Sequence, residues 1–367
     1  MIVGCVKEIK AQEYRVGLVP MHVKSYLMNG HSVIIESKAG EGSGFSDEDY
    51  KLAGAEIYPD AKSVWNKANM IIKVKEPLES EYPFLREDLV LFTYLHLAAN
   101  KVLTLELLKS KITSIAYETI EENGGLPLLK PMSEVAGRLS IQEAAKYLEK
   151  PFGGRGVLLG GVPGVYKGRV LILGGGTVGT NAAIMAVGMQ ADVTILDRNL
   201  KRLEELDQLF DGKVQTLYST AAVIHEELKK ADAVIGAVLI PGAKAPHLVT
   251  REDLKLMKKG AVLVDVAVDQ GGCFETTHPT THLDPVFDVD GIRHYCVANM
   301  PGAVPYTSTL ALTNATLRFA LLFANNSLAD AVKKNPDVLL GINTYQGKCT
   351  NPNVAEALNI PFTPYQK

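Results

Sequence analysis

Short apolar runs alternate with stretches of helical periodicity along the first third of the chain. The runs VIIES at 33–37, MIIKVK at 70–75, LVLFTYLH at 89–96 and ITSIAYE at 112–118 are interleaved with helical patterns at 20–29, 47–54 and 98–109. Strands separated by helices pair in parallel, so this spacing predicts an α/β sheet. Ligands of such a sheet settle in the crevice beyond the carboxyl ends of the strands. Lys75 and His96 each close an apolar run and so fall at that edge. The stretch SEVAGRLSIQEAAKYLEK, 133–150, predicts one long helix with Ser133 as its N-cap and Pro151 as its stop.

A glycine-rich loop at 152–168 opens a second α/β pattern. A strand at 170–173 runs into Gly174-x-Gly176-x-x-Gly179, followed by a small-residue helix at 180–189 and a second strand at 193–196. In this fingerprint the first glycine permits the tight turn, the second lets the backbone approach a pyrophosphate, and the third lets helix and strand pack closely. The helix N-terminus adds N–H groups and positive dipole. Asp197, 18 residues beyond Gly179, stands where a carboxylate accepts from the adenosine ribose hydroxyls and repels a 2′-phosphate. NAD is therefore expected rather than NADP, although Arg198 and Arg202 lie close by with the opposite charge.

Further along, 231–242 predicts a strand ending near Val238 and Leu239, and Thr250 and Asp253 have capping-box spacing for a helix stopped at Gly260. The run 261–272 predicts a buried strand carrying Asp265, held by backbone donors, and Asp269, beyond the strand end on the nicotinamide side. A last run, 294–302, is expected to end at Ala298 and Asn299 beside the same crevice.

Composition narrows the class. The 367 residues, 47% of them hydrophobic, suffice for roughly two globular domains. Lys and Arg number 38 against 41 Asp and Glu, without blocks of like charge, which argues against a nucleic-acid or anionic-membrane surface. Charges at Lys7, Glu8 and Lys10 come too early for a signal peptide's apolar core, and no apolar run approaches the ~18 residues of a membrane span, so a soluble cytoplasmic protein is expected. Cys5, Cys273, Cys296 and Cys349 are scattered and read as reduced packing residues. His278, His282 and Asp284 are ligand-type residues, but the prolines and threonines of THPTTHLDP disfavour a helical ligand face, and no metal is expected.

Hydride exchange with nicotinamide needs a proton donor and acceptor beside the reacting carbon. His96 suits that task, since an ordinary imidazole titrates near ~6.5. Arg15, within EYRVGLVP, is either a solvated turn residue or a guanidinium fork for an anion, and its position alone leaves both open.

Taken in order, EYRVGLVP at 13–20, IKVKEP at 72–77, TYLHLA at 93–98, PMSEVAGR at 131–138, LGGGTVG at 173–179, DVAVDQGG at 265–272 and VANMPGAVP at 297–305 span the chain. With these motifs it resembles the alanine dehydrogenases, whose wider family includes the NAD(H)-binding subunit of proton-translocating transhydrogenase. The resemblance implies two Rossmann-like domains with doubly wound parallel sheets and an active site in the interdomain cleft. It implies a substrate domain of 1–128 with 306–367, completed by a helix at 307–324, and an NAD domain of 129–305. The implied reaction is oxidative deamination of L-alanine with NAD and water to pyruvate, ammonium and NADH, and its reverse. By resemblance Arg15 and Lys75 hold the substrate, while His96 and Asp269 move protons in an order that stays open. The implied NAD lining is Ser133, Gly174, Gly176, Thr177, Val178, Gly179, Asp197, Arg202, Ser219, Val238, Leu239, Val266, Ala267, Val268, Asp269, Ala298, Asn299, Met300 and Pro301. A homohexamer is also implied. The competing readings are a transhydrogenase subunit and a non-catalytic NAD-binding protein.

Overall fold

The computed structural model describes residues 1–238 and 247–365 and divides into two compact units, Met1–Met132 with Val304–Lys367, and Ser133–Ala303. The first unit opens with strands β1 (Ile2–Cys5), β2 (Ser32–Glu36), β3 (Glu56–Tyr58), β4 (Met70–Ile72), β5 (Val90–Thr93) and β6 (Thr113–Ala116). Helices α1 (Pro20–Met28), α2 (Asp47–Ala53), α3 (Ala61–Lys67) and α4 (Lys101–Ser110) alternate with them. All six strands pair in parallel in the order β3-β2-β1-β4-β5-β6, a doubly wound sheet whose order reverses between β1 and β4. The strands are shorter than their apolar runs: Lys75 lies three residues beyond the end of β4 and His96 three beyond β5. Helix α4 begins at Lys101 rather than 98 because the Asn100 side chain caps Leu103 N–H at 3.1 Å.

Helix α5 (Lys130–Tyr147) starts three residues before Ser133, which is therefore inside the helix and not its N-cap. Pro131 sits in the first turn, where a missing N–H removes no helical bond. Nor does Pro151 end this helix, for it lies in a separate turn, Lys150–Phe152.

The second unit continues with β7 (Arg169–Leu173), α6 (Thr177–Gly188), β8 (Asp192–Asp197), α7 (Leu200–Phe210), β9 (Gln215–Tyr218), α8 (Ala221–Leu228), β10 (Ala233–Gly236), β11 (Val262–Asp265), β12 (Val286–Val289) and β13 (Ile292–Tyr295). Its sheet runs β12-β13-β11-β10-β7-β8-β9, parallel except for β12, which pairs antiparallel with β13. Thr250 and Asp253 do cap each other, with Thr250 N–H donating to Asp253 Oδ2 at 2.8 Å, but the element they cap is a short 3-10 turn, Glu252–Leu256, rather than an α-helix. The last strand stops at Tyr295, short of Ala298 and Asn299.

The chain then returns to the first unit with α9 (Pro305–Asn325), α10 (Leu328–Lys334), β14 (Ile342–Tyr345), β15 (Lys348–Cys349) and α11 (Pro352–Leu358). The sequence pattern suggests only helices here, yet β14 adds antiparallel to β6, with the Ser114 and Thr344 hydroxyls 2.7 Å apart, and β15 adds to β14. Helix α9 is tied to the EYRVGLVP segment through Val16 N–H, which donates to Thr309 Oγ1 at 3.2 Å. All four cysteines are buried free thiols. Among the described residues no helix is long and apolar enough to cross a membrane.

One close approach in the second unit is directly testable. A Cβ on Gly137 would fall 2.3 Å from the Val178 carbonyl oxygen, where backbone cannot yield cheaply. Gly137→Ala is expected to lower stability by about 1–3 kcal/mol, read as a drop in urea midpoint. An unchanged midpoint would show that α5 and α6 are not in such contact.

Candidate functional site

In the second unit the fingerprint occupies the turn between β7 and α6. Gly174 takes φ +102°, and a Cβ there would lie 2.9 Å from both Ala237 O and Val238 Cγ2, placing the turn at the reversal of strand order between β7 and β10. A Cβ on Gly179 would lie 1.8 Å from Gly174 O, so only glycine lets α6 pack this close. Thr177, Val178 and Gly179 form the first turn of α6, three residues earlier than the sequence pattern suggests. Their N–H groups are the unpaired donors of a helix N-terminus.

Asp197 ends β8 and braces this loop: its Oδ2 accepts from Gly175 N–H at 2.7 Å and its Oδ1 from Asn199 N–H at 2.8 Å. Ser219 N–H donates to the Asp197 carbonyl at 2.9 Å, so these two residues stand side by side. Arg202 spends its guanidinium within the protein: Nε donates to Gly175 O, Nη2 to Thr180 Oγ1 and Nη1 to Glu205, each at 2.7 Å. It is a strut of the glycine loop, and a 2′-phosphate would have to break that bracing.

At the end of β11, the 0% exposed Asp265 is held as expected: Thr277 Oγ1 donates at 2.6 Å, Cys273 N–H at 3.0 Å and Ala267 N–H at 3.1 Å. Burial pushes its pKa up, against the pull of those donors. Its role is to shape the loop in which Val266 to Val268 lie and on which Asp269 is exposed, in the turn Val268–Gln270. Ala298 to Pro301 come after β13, where the Asn299 carbonyl meets His282 Nε2 at 2.9 Å. His278 stacks on Phe287, and among the described residues no cluster of three or more ligand-type side chains could hold a metal. Ser133 lies one helical turn before Gly137, which abuts Val178. Leu239 lies outside the described residues.

In the first unit the carboxyl ends of β1 and β4 carry buried charge. Arg15, 2% exposed, is gripped side-on by Glu13: Nε to Oε1 and Nη2 to Oε2, both at 2.6 Å. This corrects the idea of a fork offered whole to a substrate, because the Nε/Nη2 edge is taken. The opposite edge carries Nη1, whose neighbour is Met132 Sδ at 3.1 Å. Burial disfavours the Arg15 charge, but Glu13 outweighs it and lifts the pKa above the ordinary value. Alongside, fully buried Lys73 is clamped between Glu81 at 2.8 Å and Glu8 at 3.4 Å, while Glu8 Oε1 accepts from Val74 N–H at 2.6 Å and Lys75 N–H at 3.3 Å.

Lys75 differs from these cations. Its Nζ makes no hydrogen bond or ion pair among the described residues. Burial, and then the positive charge of Arg15, hold its pKa below the ordinary lysine value. Two cations side by side, one of them with no direct ion pair among the described residues, are what an anionic ligand would complete. His96 lies beyond β5 with its ring exposed, in the left-handed conformation (φ 51°, ψ 38°) and stacked 6.0 Å from Tyr94. Sequence reading missed Glu8, Glu13, Lys73, Glu81 and Glu118. The signal was there: a lysine inside MIIKVK and an acid two residues before Arg15, on the same side of an extended chain, need partners if buried.

One chain that carries two doubly wound units, one with a complete dinucleotide fingerprint, defines a two-domain dinucleotide-binding protein. Comparison with known proteins makes this specific. The patterns of the Alanine dehydrogenase/PNT N-terminal and C-terminal domains match residues 4–136 and 140–352, and the chain belongs to that family. It is 57% identical to alanine dehydrogenase 2 of Staphylococcus aureus (strain USA300) over 364 residues, 99% of this chain and 98% of that one. Among solved structures, an L-alanine dehydrogenase aligns with a TM-score of 0.95 at 51% identity, covering 98% of this chain and 99% of the other. A transhydrogenase from Sinorhizobium meliloti aligns with a TM-score of 0.83 at 26% identity, covering 96% and 99%.

A lysine held charged without a partner costs stability. Lys75→Met is expected to raise the urea midpoint by the equivalent of about 0.5–2 kcal/mol at neutral pH. The sign comes from the depressed pKa: the unfolded chain binds the proton more tightly, so wild-type stability rises with pH between the folded value and the ordinary ~10.4. The advantage of the variant should therefore shrink in alkali. A variant less stable than wild type at neutral pH would show that Lys75 has a stabilising partner.

Proposed function

We propose that the protein is an NAD-dependent alanine dehydrogenase, converting L-alanine, NAD and water to pyruvate, ammonium and NADH, and catalysing the reverse. The observation that carries this reading is the partnerless, desolvated Lys75 ammonium beside Arg15 at the carboxyl edge of one doubly wound sheet, in a chain whose other unit has the complete fingerprint. Pyruvate and alanine both bring a carboxylate to such a pair. The first unit is read as the substrate domain and the second as the NAD domain. The match to alanine dehydrogenases at 57% identity, against 26% for the transhydrogenase, favours this reading over the transhydrogenase subunit.

When bound, NAD supplies the hydride acceptor and NADH the donor. Its pyrophosphate is assigned to the N–H groups of Thr177, Val178 and Gly179, and its ribose to Asp197, whose negative charge and the bracing of Arg202 together favour NAD over NADP. The Nη1 edge of Arg15 orients the substrate carboxylate, and Lys75 polarises the carbonyl oxygen of pyruvate. Ammonia adds to that carbonyl carbon, the carbinolamine takes a proton on its hydroxyl and loses water, and the resulting iminium receives hydride to give alanine. His96 and Asp269 carry the protons that addition and dehydration require. A homohexamer in the cytoplasm is the expected form, supported by the family resemblance.

An absorbance assay of NADH consumption with pyruvate and ammonium tests the proposal. Turnover is expected with wild type, and His96→Ala should lower kcat by about 10²–10⁴-fold with NADH affinity nearly unchanged. Tight NADH binding without turnover would instead favour a transhydrogenase-like or non-catalytic protein. Arg15→Lys should raise the KM for pyruvate far more than that for NADH, and equal losses would remove Arg15 from the substrate site.

A further inference from the structure

We propose that Glu118 is the positioning residue of the proton-transfer site, fixing the backbone turn that presents His96. The inference rests on the reading of His96 as a proton carrier. A left-handed backbone at a non-glycine residue costs about 1–3 kcal/mol and persists only where its surroundings enforce it. At His96 the enforcing group is one carboxylate. Glu118 Oε1 accepts from His96 N–H at 2.6 Å and from Leu95 N–H at 3.1 Å, and Oε2 lies 3.3 Å from Leu95 N–H. Both donors lie past the end of β5, where no ladder partner continues.

Glu118 comes from the turn Tyr117–Thr119 directly after β6, the parallel neighbour of β5, with Thr93 opposite Ala116. The carboxylate therefore cross-links the ends of two adjacent strands at the functional edge of the sheet. Leu95 and Leu97, 0% and 1% exposed, fasten the chain on either side of His96. Tyr94 lies parallel to the ring, at 11°, and donates its hydroxyl proton to Leu128 O at 2.5 Å. The imidazole thus projects from a turn whose two backbone donors both meet the Glu118 carboxyl group. A ring displaced by even an ångström loses its alignment for proton transfer.

The test is a set of variants assayed with pyruvate, ammonium and NADH. Glu118→Ala removes both acceptors and should lower kcat by about a hundredfold while the NADH dissociation constant stays within about twofold. Glu118→Gln retains an Oε1 able to meet both N–H groups and should recover kcat to within about fivefold of wild type. In a His96→Ala background, measured as the residual rate at high enzyme concentration, Glu118→Ala should cost nothing further, because the two act as a unit. A Glu118→Ala enzyme with unchanged kcat, an equal loss in NADH binding, or a full loss repeated in the His96→Ala background would each overturn the assignment. Full activity in His96→Ala alone would overturn the reading of His96 and this one with it, which separates the two failures.

Discussion

Burial of charge at the carboxyl edge of the first sheet is the constraint on which the rest depends. Removing a guanidinium or ammonium from water costs several kcal/mol unless an anion sits against it. Arg15 meets this with Glu13, and Lys73 with Glu8 and Glu81. Those carboxylates do a second task, because Glu8 also accepts the N–H groups of Val74 and Lys75 and so fixes where the chain goes after β4. Lys75, whose Nζ makes no ion pair among the described residues, is thereby held in place by this network. Three carboxylates face three cations at this edge, so on the proposed reading it is the missing direct ion pair at Lys75, and not a net shortage of negative charge, that leaves a place for an anion.

The second unit solves its own constraint with backbone instead. Gly174 and Gly179 let a strand, a helix and the chain just after β10 converge closely enough that a side chain at either position would collide, whereas Gly176 has open space beside it. Asp197 and Arg202 then hold the loop from opposite ends, one by accepting Gly175 N–H and the other by donating to Gly175 O. Rigidity of the loop precedes the ligand, so little ordering cost falls on binding.

What the sequence showed clearly was periodic and local. The two α/β patterns, the fingerprint and the acid at the end of β8 all lie within short windows, and Asp265 is legible as a structural acid from its place in a buried strand. Errors came where a tertiary contact outweighed a local signal. Ser133 looks like a cap, but Pro131 lets α5 start earlier; Thr250 and Asp253 do cap each other, yet only a short turn comes of it. The strands β14 and β15 escape notice because they are four and two residues long and gain their stability from β6, more than two hundred residues away in sequence. Glu13 and Glu118 escape notice because their significance is their partner, and a partner 22 residues off, as for Glu118 and His96, leaves no mark on periodicity.

Both units place their first strand at the centre and reverse order beside it, so the same fold offers the same crevice twice. The difference lies in the first crossover. Three residues, 174–176, separate β7 from α6, and the helix N-terminus is delivered straight to the crevice. Fourteen residues, 6–19, separate β1 from α1, and they carry Glu8, Glu13 and Arg15 into the same position. A pyrophosphate, extended and doubly charged, suits a row of backbone donors. A small carboxylate next to a reacting carbon gives fewer contacts, and it has to be oriented as well as neutralised, which fixed and individually directed side chains do better than a dipole. On the proposed reading the longer loop supplies Arg15 for a small acid, and Lys75 joins it from the loop after β4, on the scaffold that also carries His96.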